Sequence, residues 1–292
     1  MPWRFNADVR TYAARVWDLL AADPAAHTIA LTVIDNVLAG RRWSDADMLF
    51  GWYEDTQLDP AQILGAVFRT PPYELLLAEV PEPTMPELID ALRAASVSVP
   101  GVVGEAGTVD RFAELWTSRA GAAPGGAGVA PAMRQRLYQL GTLRPPTPPP
   151  PGEAHLAEPA DLVLVANWYA AFQREAGAVP VDVEPIAREG IEQRLIWLWR
   201  NPAGAPVSLA ARTRVVAEVA RIGPVYTPPA RRRRGYAAAL TAACTQAAQR
   251  AGASAVVLFT DLANPTSNKI YQQLGYLPKH DQHVVHFDPG PR

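Results

Sequence analysis

The chain has 292 residues and a formal net charge of −2, with 49% hydrophobic and 19% charged residues. This composition excludes wholesale disorder and predicts a globular protein of about two domains. The near-zero net charge argues against a general nucleic-acid binder, and no run of about 18 apolar residues is present to form a transmembrane helix. No signal peptide is expected, because the first residues lack an apolar segment. Cys244 is the sole cysteine, which excludes an intrachain disulfide and fits a reducing, cytoplasmic compartment.

A proline-rich segment divides the sequence. Residues 145–152 read PPTPPPPG, and prolines lack the backbone N–H and fix φ, so a stiff, extended linker is predicted. The expected domains are residues 1–144 and 152–292, joined by a linker at 145–151. Residues 1–150 carry 12 basic and 17 acidic residues, whereas residues 151–292 carry 15 and 12. The net positive charge of the second half favours an anionic ligand there.

In the first half, hydrophobic periodicity predicts alternating helices and strands. The predicted helices cover residues 7–22, 84–95 and 109–119, and the predicted strands cover residues 27–33, 63–69, 74–80, 97–103 and 133–142. Thr84 and Glu87 have the spacing of a capping box at the start of the second helix.

The second half continues the alternation. Its predicted strands cover residues 154–157, 195–199, 207–212, 215–226, 255–260 and 283–287, and its predicted helices cover residues 159–175, 185–193, 235–251 and 265–274. Gly252 and Gly275 follow the last two helices, as expected of left-handed caps.

One strand-to-helix connection has the composition of an anion site. Residues 231–237 read RRRRGYA and are expected to end a strand and open a helix. The free N–H groups and positive dipole end of a helix N-terminus attract anions, and Gly235 allows a ligand to approach the backbone closely. A solvated basic turn before an alanine-rich core helix is the alternative, and this segment alone does not separate the two.

A second helix start carries polar side chains on one face. Asn264 is the predicted N-cap and Pro265 the first helical residue. At about 100° per residue, Asn264, Asn268 and Tyr271 fall on one stripe. Two amides and a phenol on one helix face are unusual in a core. The alternative is that Tyr271 packs in the core and the asparagines only cap the helix.

Together these two segments resemble the GNAT acyltransferase superfamily. Its acyl-CoA loop has the pattern Gln/Arg-x-x-Gly-x-Gly/Ala, which Arg232, Gly235 and Ala237 match, although Arg233 stands where many members have glycine. The later family motif of an asparagine-initiated helix with tyrosine and then Gly-Phe/Tyr also matches, at Asn264, Asn268, Tyr271, Gly275 and Tyr276. The resemblance covers residues 152–288.

The resemblance implies roles for specific residues. It implies that loop amides hold the CoA pyrophosphate, that the preceding strand pairs with the pantetheine arm, and that Pro224 lies at a bulge that opens a slot for the thioester. Tyr271 is implied as the general acid that protonates the CoA thiolate. The implied acyl-CoA-binding residues are Ile222, Val225, Tyr226, Thr227, Arg232, Arg233, Arg234, Gly235, Tyr236, Ala237, Asn264 and Asn268.

Two carboxylates are candidates for the general base. Glu218 is the first candidate, since many family members use a carboxylate on this strand, and a surface or hairpin salt bridge is the alternative. Asp261 is the second candidate, and a helix-entry turn is its alternative.

No metal or covalent nucleophile is required. Cys244 lies within a predicted helix and is expected to be a buried packing residue. Trp168, Phe172, Trp197 and Trp199 either wall the acceptor pocket or belong to the core.

The first half resembles a degenerate GNAT copy. Residues 50–54, 63–68 and 74–80 precede the helix at Thr84 as the central hairpin and strand of that fold would, but the loop at residues 81–86 lacks the pyrophosphate pattern. An unrelated α/β domain is the alternative. The expected fold is therefore α/β (α+β), with tandem GNAT-like folds and a mixed central sheet flanked by helices.

The resemblance implies an acetyl-CoA-dependent N-acetyltransferase with an amine acceptor. Acetyl-CoA is expected as co-substrate, without nucleic acid or membrane partners, in a monomer (a pseudo-dimer of tandem domains) or a homodimer. A CoA-binding regulatory pseudoenzyme and a protein-interaction module on the same fold remain alternatives. The acceptor is not indicated, because substrate residues of this fold come from variable loops.

Overall fold

The structure, a computed structural model, describes residues 3–58, 60–118 and 129–287, with the backbone alone for residues 129–132. Its strands, in chain order, are β1 (Trp3–Asn6), β2 (Leu49–Asp55), β3 (Gln62–Arg69), β4 (Leu75–Glu79), β5 (Gly101–Glu105), β6 (Val129–Leu140), β7 (Glu153–Leu156), β8 (Ile196–Arg200), β9 (Pro206–Arg212), β10 (Val219–Tyr226), β11 (Ala255–Asp261) and β12 (Tyr276–Phe287). Its helices are α1 (Val9–Ala21), α2 (Thr28–Leu38), α3 (Met85–Ala94), α4 (Ala106–Ser118), α5 (Leu162–Ala176), α6 (Val183–Glu192), α7 (Tyr236–Arg250) and α8 (Pro265–Gln273). No helix among these residues is both long and apolar enough to cross a membrane.

The chain forms two compact units. The first contains the described residues up to Arg136, with residues 261–263 and 280–287, and the second contains residues 137–260 and 264–279. The expected domains are residues 1–144 and 152–292, so the two units begin and end at other residues. The end of β12, expected in the second domain, pairs antiparallel with β5 of the first unit, from Gln282 opposite Glu105 to His286 opposite Gly101.

The segment expected to be a linker belongs to the second unit. Residues 145–152 have neither helix nor strand, as their prolines require. The indole N–H of Trp199 nevertheless donates a hydrogen bond to the carbonyl of Pro151 at 3.1 Å. The backbone N–H of Arg144 donates to the carbonyl of Leu274 at 3.0 Å. The proline segment is therefore attached to the second unit by specific contacts.

The first unit has the strand order β1-β2-β3-β4-β5-β12-β6. β1 to β4 are antiparallel neighbours, and β4 runs parallel to β5, with α3 between them in sequence. This meander followed by a strand–helix–strand crossover agrees with the arrangement expected for a degenerate copy. The second unit has the corresponding order β12-β6-β11-β10-β9-β8-β7, with β10 parallel to β11 across α7.

Helix α1 agrees with its predicted pattern. Asp8 caps it, because its carboxylate accepts hydrogen bonds from the N–H groups of Arg10 and Thr11 at 3.1 and 3.0 Å. Val16 and Leu20, four residues apart, are fully buried, so this face of the helix is directed to the core.

The strand predicted over residues 27–33 is wrong, because this segment begins α2. Six of the 11 residues of α2 are buried, namely Thr28, Ala30, Leu31, Thr32, Ile34 and Val37. A helix buried over most of its circumference lacks the polar stripe that identifies an amphipathic helix, and its β-branched residues then suggest a strand. The hydroxyl of Thr32 donates to the carbonyl of Thr28 inside the helix.

The start of α3 also differs from the prediction. Thr84 makes no side-chain cap, and its hydroxyl instead donates to the carbonyl of Pro81 at 2.8 Å. The capping-box reading of Thr84 and Glu87 is therefore wrong, although the helix itself is confirmed over Met85–Ala94. β1 has no predicted counterpart, and β12 is much longer than the predicted 283–287. The remaining elements lie within a few residues of their predicted positions.

Candidate active site

In the second unit, β10 separates from β11 partway along its length. The parallel register runs from Val219 opposite Ala255 to Ile222 opposite Leu258, and among the described residues no later pair joins these two strands. The register of β10 against β9 shifts between Ile222 and Val225, which is the bulge expected at Pro224. The second half of β10 therefore has an edge that does not pair with β11.

A buried serine fixes the end of β10. The hydroxyl of Ser208 donates to the carbonyl of Tyr226 at 3.1 Å and lies 2.8 Å from the hydroxyl of Thr227. Ser208 is fully buried within β9. The sequence did not identify it, because one serine within an apolar strand is not distinctive until the partner strand is known.

The basic loop has the backbone of a glycine-rich turn. Gly235 has φ of 79°, a left-handed conformation that favours glycine. A Cβ at Gly235 would meet only Pro150, at 3.8 Å or more, so the requirement for glycine is conformational. Arg233, which replaces a glycine of the family pattern, also has a left-handed φ, of 62°. The loop thus has left-handed residues at both positions despite the arginine.

Helix α7 begins directly after this loop. Its first intrahelical hydrogen bond joins the N–H of Ala239 to the carbonyl of Gly235 at 3.1 Å, so the preceding N–H groups have no acceptor within the helix. Tyr236 packs in the core beside Ala239 and Leu240, which orients this end of the helix. The four residues before Gly235 are exposed arginines. A helix N-terminus with exposed cations next to it is suited to bind an anion.

Arg232 turns back toward the end of β10. Its Nε donates to the carbonyl of Thr227 at 2.8 Å, and its Nη2 donates to the carboxylate of Glu175 at 2.6 Å. The guanidinium also lies 5.9 Å from the ring centroid of Tyr226.

Glu175 links three elements of the second unit. It lies in the last turn of α5, and its carboxylate accepts a hydrogen bond from the hydroxyl of Tyr226 at 3.3 Å. Burial, followed by the charge of Glu175, raises the pKa of Tyr226. Trp168 of α5 packs on the same tyrosine, with ring centroids 6.1 Å apart.

The two asparagines of α8 bond to their own helix entry. Asn264 caps the helix, with its side-chain oxygen accepting from the N–H of Ser267 at 3.1 Å. The Asn268 amide donates to the Asn264 carbonyl at 2.8 Å and accepts from the Tyr138 hydroxyl at 3.0 Å. Gln272 donates to the same hydroxyl at 3.2 Å. Tyr138 was not identified from sequence, because it lies 130 residues from Asn268.

Tyr271 lies against the core of the second unit. Its ring meets that of Tyr276 edge-on, with centroids 6.3 Å apart. Burial raises the pKa of the Tyr271 phenol to about 12. The phenol is therefore protonated at neutral pH, as a proton donor must be.

The structure places Glu218 at the wrong end of β10 for a catalytic base. Ala217 and Glu218 have φ of 46° and 61° and form a tight turn ahead of the strand, where the sequence predicted strand. The Glu218 carboxylate accepts from the hydroxyl of Ser254 at 3.0 Å. At about 3.3 Å per residue, Glu218 lies roughly 13 Å before the bulge that starts at Ile222. This exposed turn position agrees with the surface or hairpin alternative, although the partner recorded for Glu218 is the hydroxyl of Ser254 and not a cation.

Asp261 ends β11. Its carboxylate accepts a hydrogen bond from the N–H of Ala263 at 2.8 Å, which is the helix-entry turn given as its alternative.

Cys244 is fully buried, and burial raises the pKa of its thiol, as expected of a packing residue.

The three tryptophans of this set do not form one wall. Trp197 and Trp199 pack into the cluster on the α7 face of the sheet. Trp168 packs against α6 on the opposite face of the sheet, beside Leu198. Successive residues of β8 point to opposite faces, which separates the two groups.

Residues 165–276 match the model described as "Acetyltransferase (GNAT) family". These residues form a GNAT domain. They include the loop at Arg232–Ala237 and helix α8. No curated protein matches the sequence.

Solved structures resemble the whole chain. A GCN5-related N-acetyltransferase from Kribbella flavida is 22% identical with a TM-score of 0.57, and the match covers 91% of this chain and 96% of that one. One from Sphaerobacter thermophilus is 17% identical with a TM-score of 0.61, covering 99% and 96%. A tandem GNAT protein from the clavulanic acid biosynthesis pathway is 12% identical with a TM-score of 0.54, covering 99% of both chains. At these identities the likeness establishes the fold, which is a tandem GNAT fold with a mixed sheet flanked by helices.

Proposed function

We propose that the chain is an acetyl-CoA-dependent N-acetyltransferase that transfers the acetyl group directly from the CoA thioester to an amine. One observation carries this proposal: the half of β10 that separates from β11 leads into a left-handed loop at the N-terminus of α7. An unpaired strand edge can add an extended ligand through backbone hydrogen bonds, and the helix N-terminus can hold its phosphates.

The loop supplies the phosphate site. The N–H groups of the first turn of α7, with Tyr236 and Ala237, bind the pyrophosphate, and Gly235 keeps the approach open. Arg233 and Arg234 add positive charge for the pyrophosphate and the 3′-phosphate. Arg232 contributes from its position beside Glu175.

The strand edge holds the pantetheine arm. Backbone groups between Ile222 and Thr227, including those of Val225 and Tyr226, pair with its amides, and the bulge leaves room for the thioester. Asn264 and Asn268 hold the entry of α8 in the position that presents Tyr271. Their role in binding is thus indirect.

The reaction needs no covalent enzyme intermediate. The ammonium group of the acceptor first loses a proton to a base, and the lone pair of the neutral amine attacks the thioester carbonyl. The nitrogen of the tetrahedral intermediate loses a second proton to solvent, and collapse of the intermediate breaks the C–S bond. Tyr271 then gives its proton to the departing thiolate. Among the two sequence-based candidates for the base, the position of Glu218 argues against it, and Asp261 stays a prediction. The monomeric or homodimeric state and the cytoplasmic location also stay predictions.

Two matched glycines test the loop. Gly235 and Gly204 have φ of 79° and 78°, and a Cβ added to either would meet no atom closer than 3.8 Å. Valine at either site introduces comparable backbone strain, of about 1–3 kcal/mol. We expect Gly235→Val to abolish acetyl-CoA binding in calorimetry and Gly204→Val to bind as the wild type does. Circular dichroism checks that both variants fold. Retained affinity in folded Gly235→Val would refute the phosphate site.

A further inference from the structure

The first unit contains the same strand separation as the GNAT domain. β4 pairs in parallel with β5 from Leu75 to Leu77. The register of β4 against β3 shifts directly afterwards, because Val67 lies opposite Leu77 and Ala66 opposite Glu79. The extra residue in β4 stands where the bulge stands in β10, so a cleft of the same kind is expected beyond it.

A cavity of about 430 Å³ lies at this place, a size typical of small-molecule sites. All of its lining residues belong to the first unit. The apolar part of the lining comes mainly from α2 and β4, including Ile29, Leu76 and Ala78. Gln282 also lines the cavity and is 5% exposed, so its amide adds a buried group that can donate and accept hydrogen bonds.

The charged part of the lining is acidic. Asp23, Glu79 and Glu105 contribute carboxylates, and His27 and His280 are the basic groups. The carboxylates of Asp23 and Glu105 also cap local turns, at 3.1 Å to the N–H of Ala26 and 3.0 Å to that of Thr108.

Glu79 is placed differently from the other two acids. It follows the bulge of β4 and lies 3.6 Å from Nε2 of His27. Burial raises the pKa of Glu79. A cation placed beside Glu79 would favour its charged carboxylate form, which burial disfavours.

The loop after β4 is not suited to phosphate. Its residues 81–86 include three prolines, which lack an N–H, and Glu82 adds a negative charge. The N–H of Thr84 already donates to the carbonyl of Pro81 at 2.9 Å. The cleft therefore has no counterpart of the anion site at Gly235, and its charge selects cations.

We propose that the cavity of the first unit binds a small organic ammonium compound with an apolar body, its ammonium group held by Glu79 together with Asp23 and Glu105. The apolar lining from α2 and β4 receives the body of the ligand, and Gln282 bonds to a polar substituent. The site is a binding site without acyl transfer.

Calorimetry with 2-phenylethylamine, tyramine, tryptamine and spermidine tests this proposal, with 2-phenylethanol as the uncharged match for the first amine. We expect at least one amine to bind and 2-phenylethanol not to bind. We expect Glu79→Gln to weaken amine binding by about tenfold or more, since the charge pair is lost. Glu82→Gln is the matched control, because Glu82 lies in the next loop, outside the lining, and should leave binding unchanged.

The variant Gly235→Val separates this site from the proposed acyl-CoA site, because amine binding in the first unit should persist when acetyl-CoA binding is lost. The proposal is overturned if none of the four amines binds, if 2-phenylethanol binds equally well, or if folded Glu79→Gln binds as the wild type does.

Discussion

The guanidinium of Arg232 donates to the carboxylate of Glu175 at 2.6 Å, and this contact brings the first residue of the phosphate-loop pattern to the end of helix α5. Both side chains are about half exposed. An acidic group thus stands beside the site that we propose for an anion. The two residues of the pair suit different substrates, because the carboxylate of Glu175 attracts a cationic acceptor and the guanidinium of Arg232 attracts the phosphates of the donor.

Removing the acid should strengthen donor binding. We expect Glu175→Gln to tighten CoA binding by about two- to fivefold, equivalent to about 0.5–1 kcal/mol, since Arg232 is no longer neutralised. Calorimetry at about 50 mM and about 300 mM NaCl should show a smaller gain at the higher salt concentration. Glu184→Gln is the control, because Glu184 pairs with Arg188 on α6. Equal or weaker CoA binding by Glu175→Gln would contradict the proposed role of Arg232.

Two neighbouring tyrosines distinguish catalysis from packing. Tyr271→Phe removes the proposed proton donor and should lower kcat by about tenfold or more while acetyl-CoA binds normally. Tyr276→Phe removes a hydroxyl that lies 2.6 Å from the hydroxyl of Thr245, so it should cost about 1 kcal/mol of stability and leave kcat unchanged. Thiol release from acetyl-CoA and thermal melting measure the two effects. Equal kcat in Tyr271→Phe and the wild type would remove Tyr271 from the mechanism.

The pair of Arg136 and Asp281 should make the first unit sensitive to acid. Arg136 donates to both oxygens of Asp281, at 2.6 and 2.9 Å, and this hydrogen bonding lowers the pKa of Asp281. A carboxyl group whose pKa is lower in the folded than in the unfolded state stabilises the fold at pH values above the unfolded pKa of about 3.9. This stabilisation is lost as the pH falls through the folded pKa. We expect Asp281→Asn to lose about 1 kcal/mol at neutral pH, reduced by the partial exposure of both groups.

Urea unfolding at about pH 7 and about pH 3 measures this difference, which should shrink at the lower pH. Glu114→Gln is the control, because the exposed pair of Arg111 and Glu114 should contribute little at either pH. A loss of equal size at both pH values would show that the charge of Asp281 is not responsible.

Sequence reasoning identified the parts of the site that depend on local chemistry. Pro224 indicated the bulge because proline cannot donate within a ladder, and Gly235 indicated the left-handed turn because other residues resist that conformation. The same reasoning failed for α2, because its residues are all buried or half-buried and leave no exposed polar face of the kind that identifies a helix.

Other parts of the site depend on contacts between distant segments. Tyr138 reaches Asn268 across 130 residues, and Ser208 bonds to the end of a neighbouring strand. Glu218 was misplaced because a turn of two left-handed residues, with no glycine, precedes β10. Such contacts follow from strand order and register, which a single sequence does not determine.

The last strand of the chain has a consequence for how the protein is made. Residues 282–286 complete the edge of β5, about 180 residues further along the chain. A ribosome must therefore synthesise the chain as far as residue 286 before β5 gains this partner, although most strands of the second unit come earlier in the chain. In a protein of this kind the N-terminal half cannot finish folding first, and dividing the gene at the proline segment would leave that half with an open sheet edge and a tendency to associate with other chains.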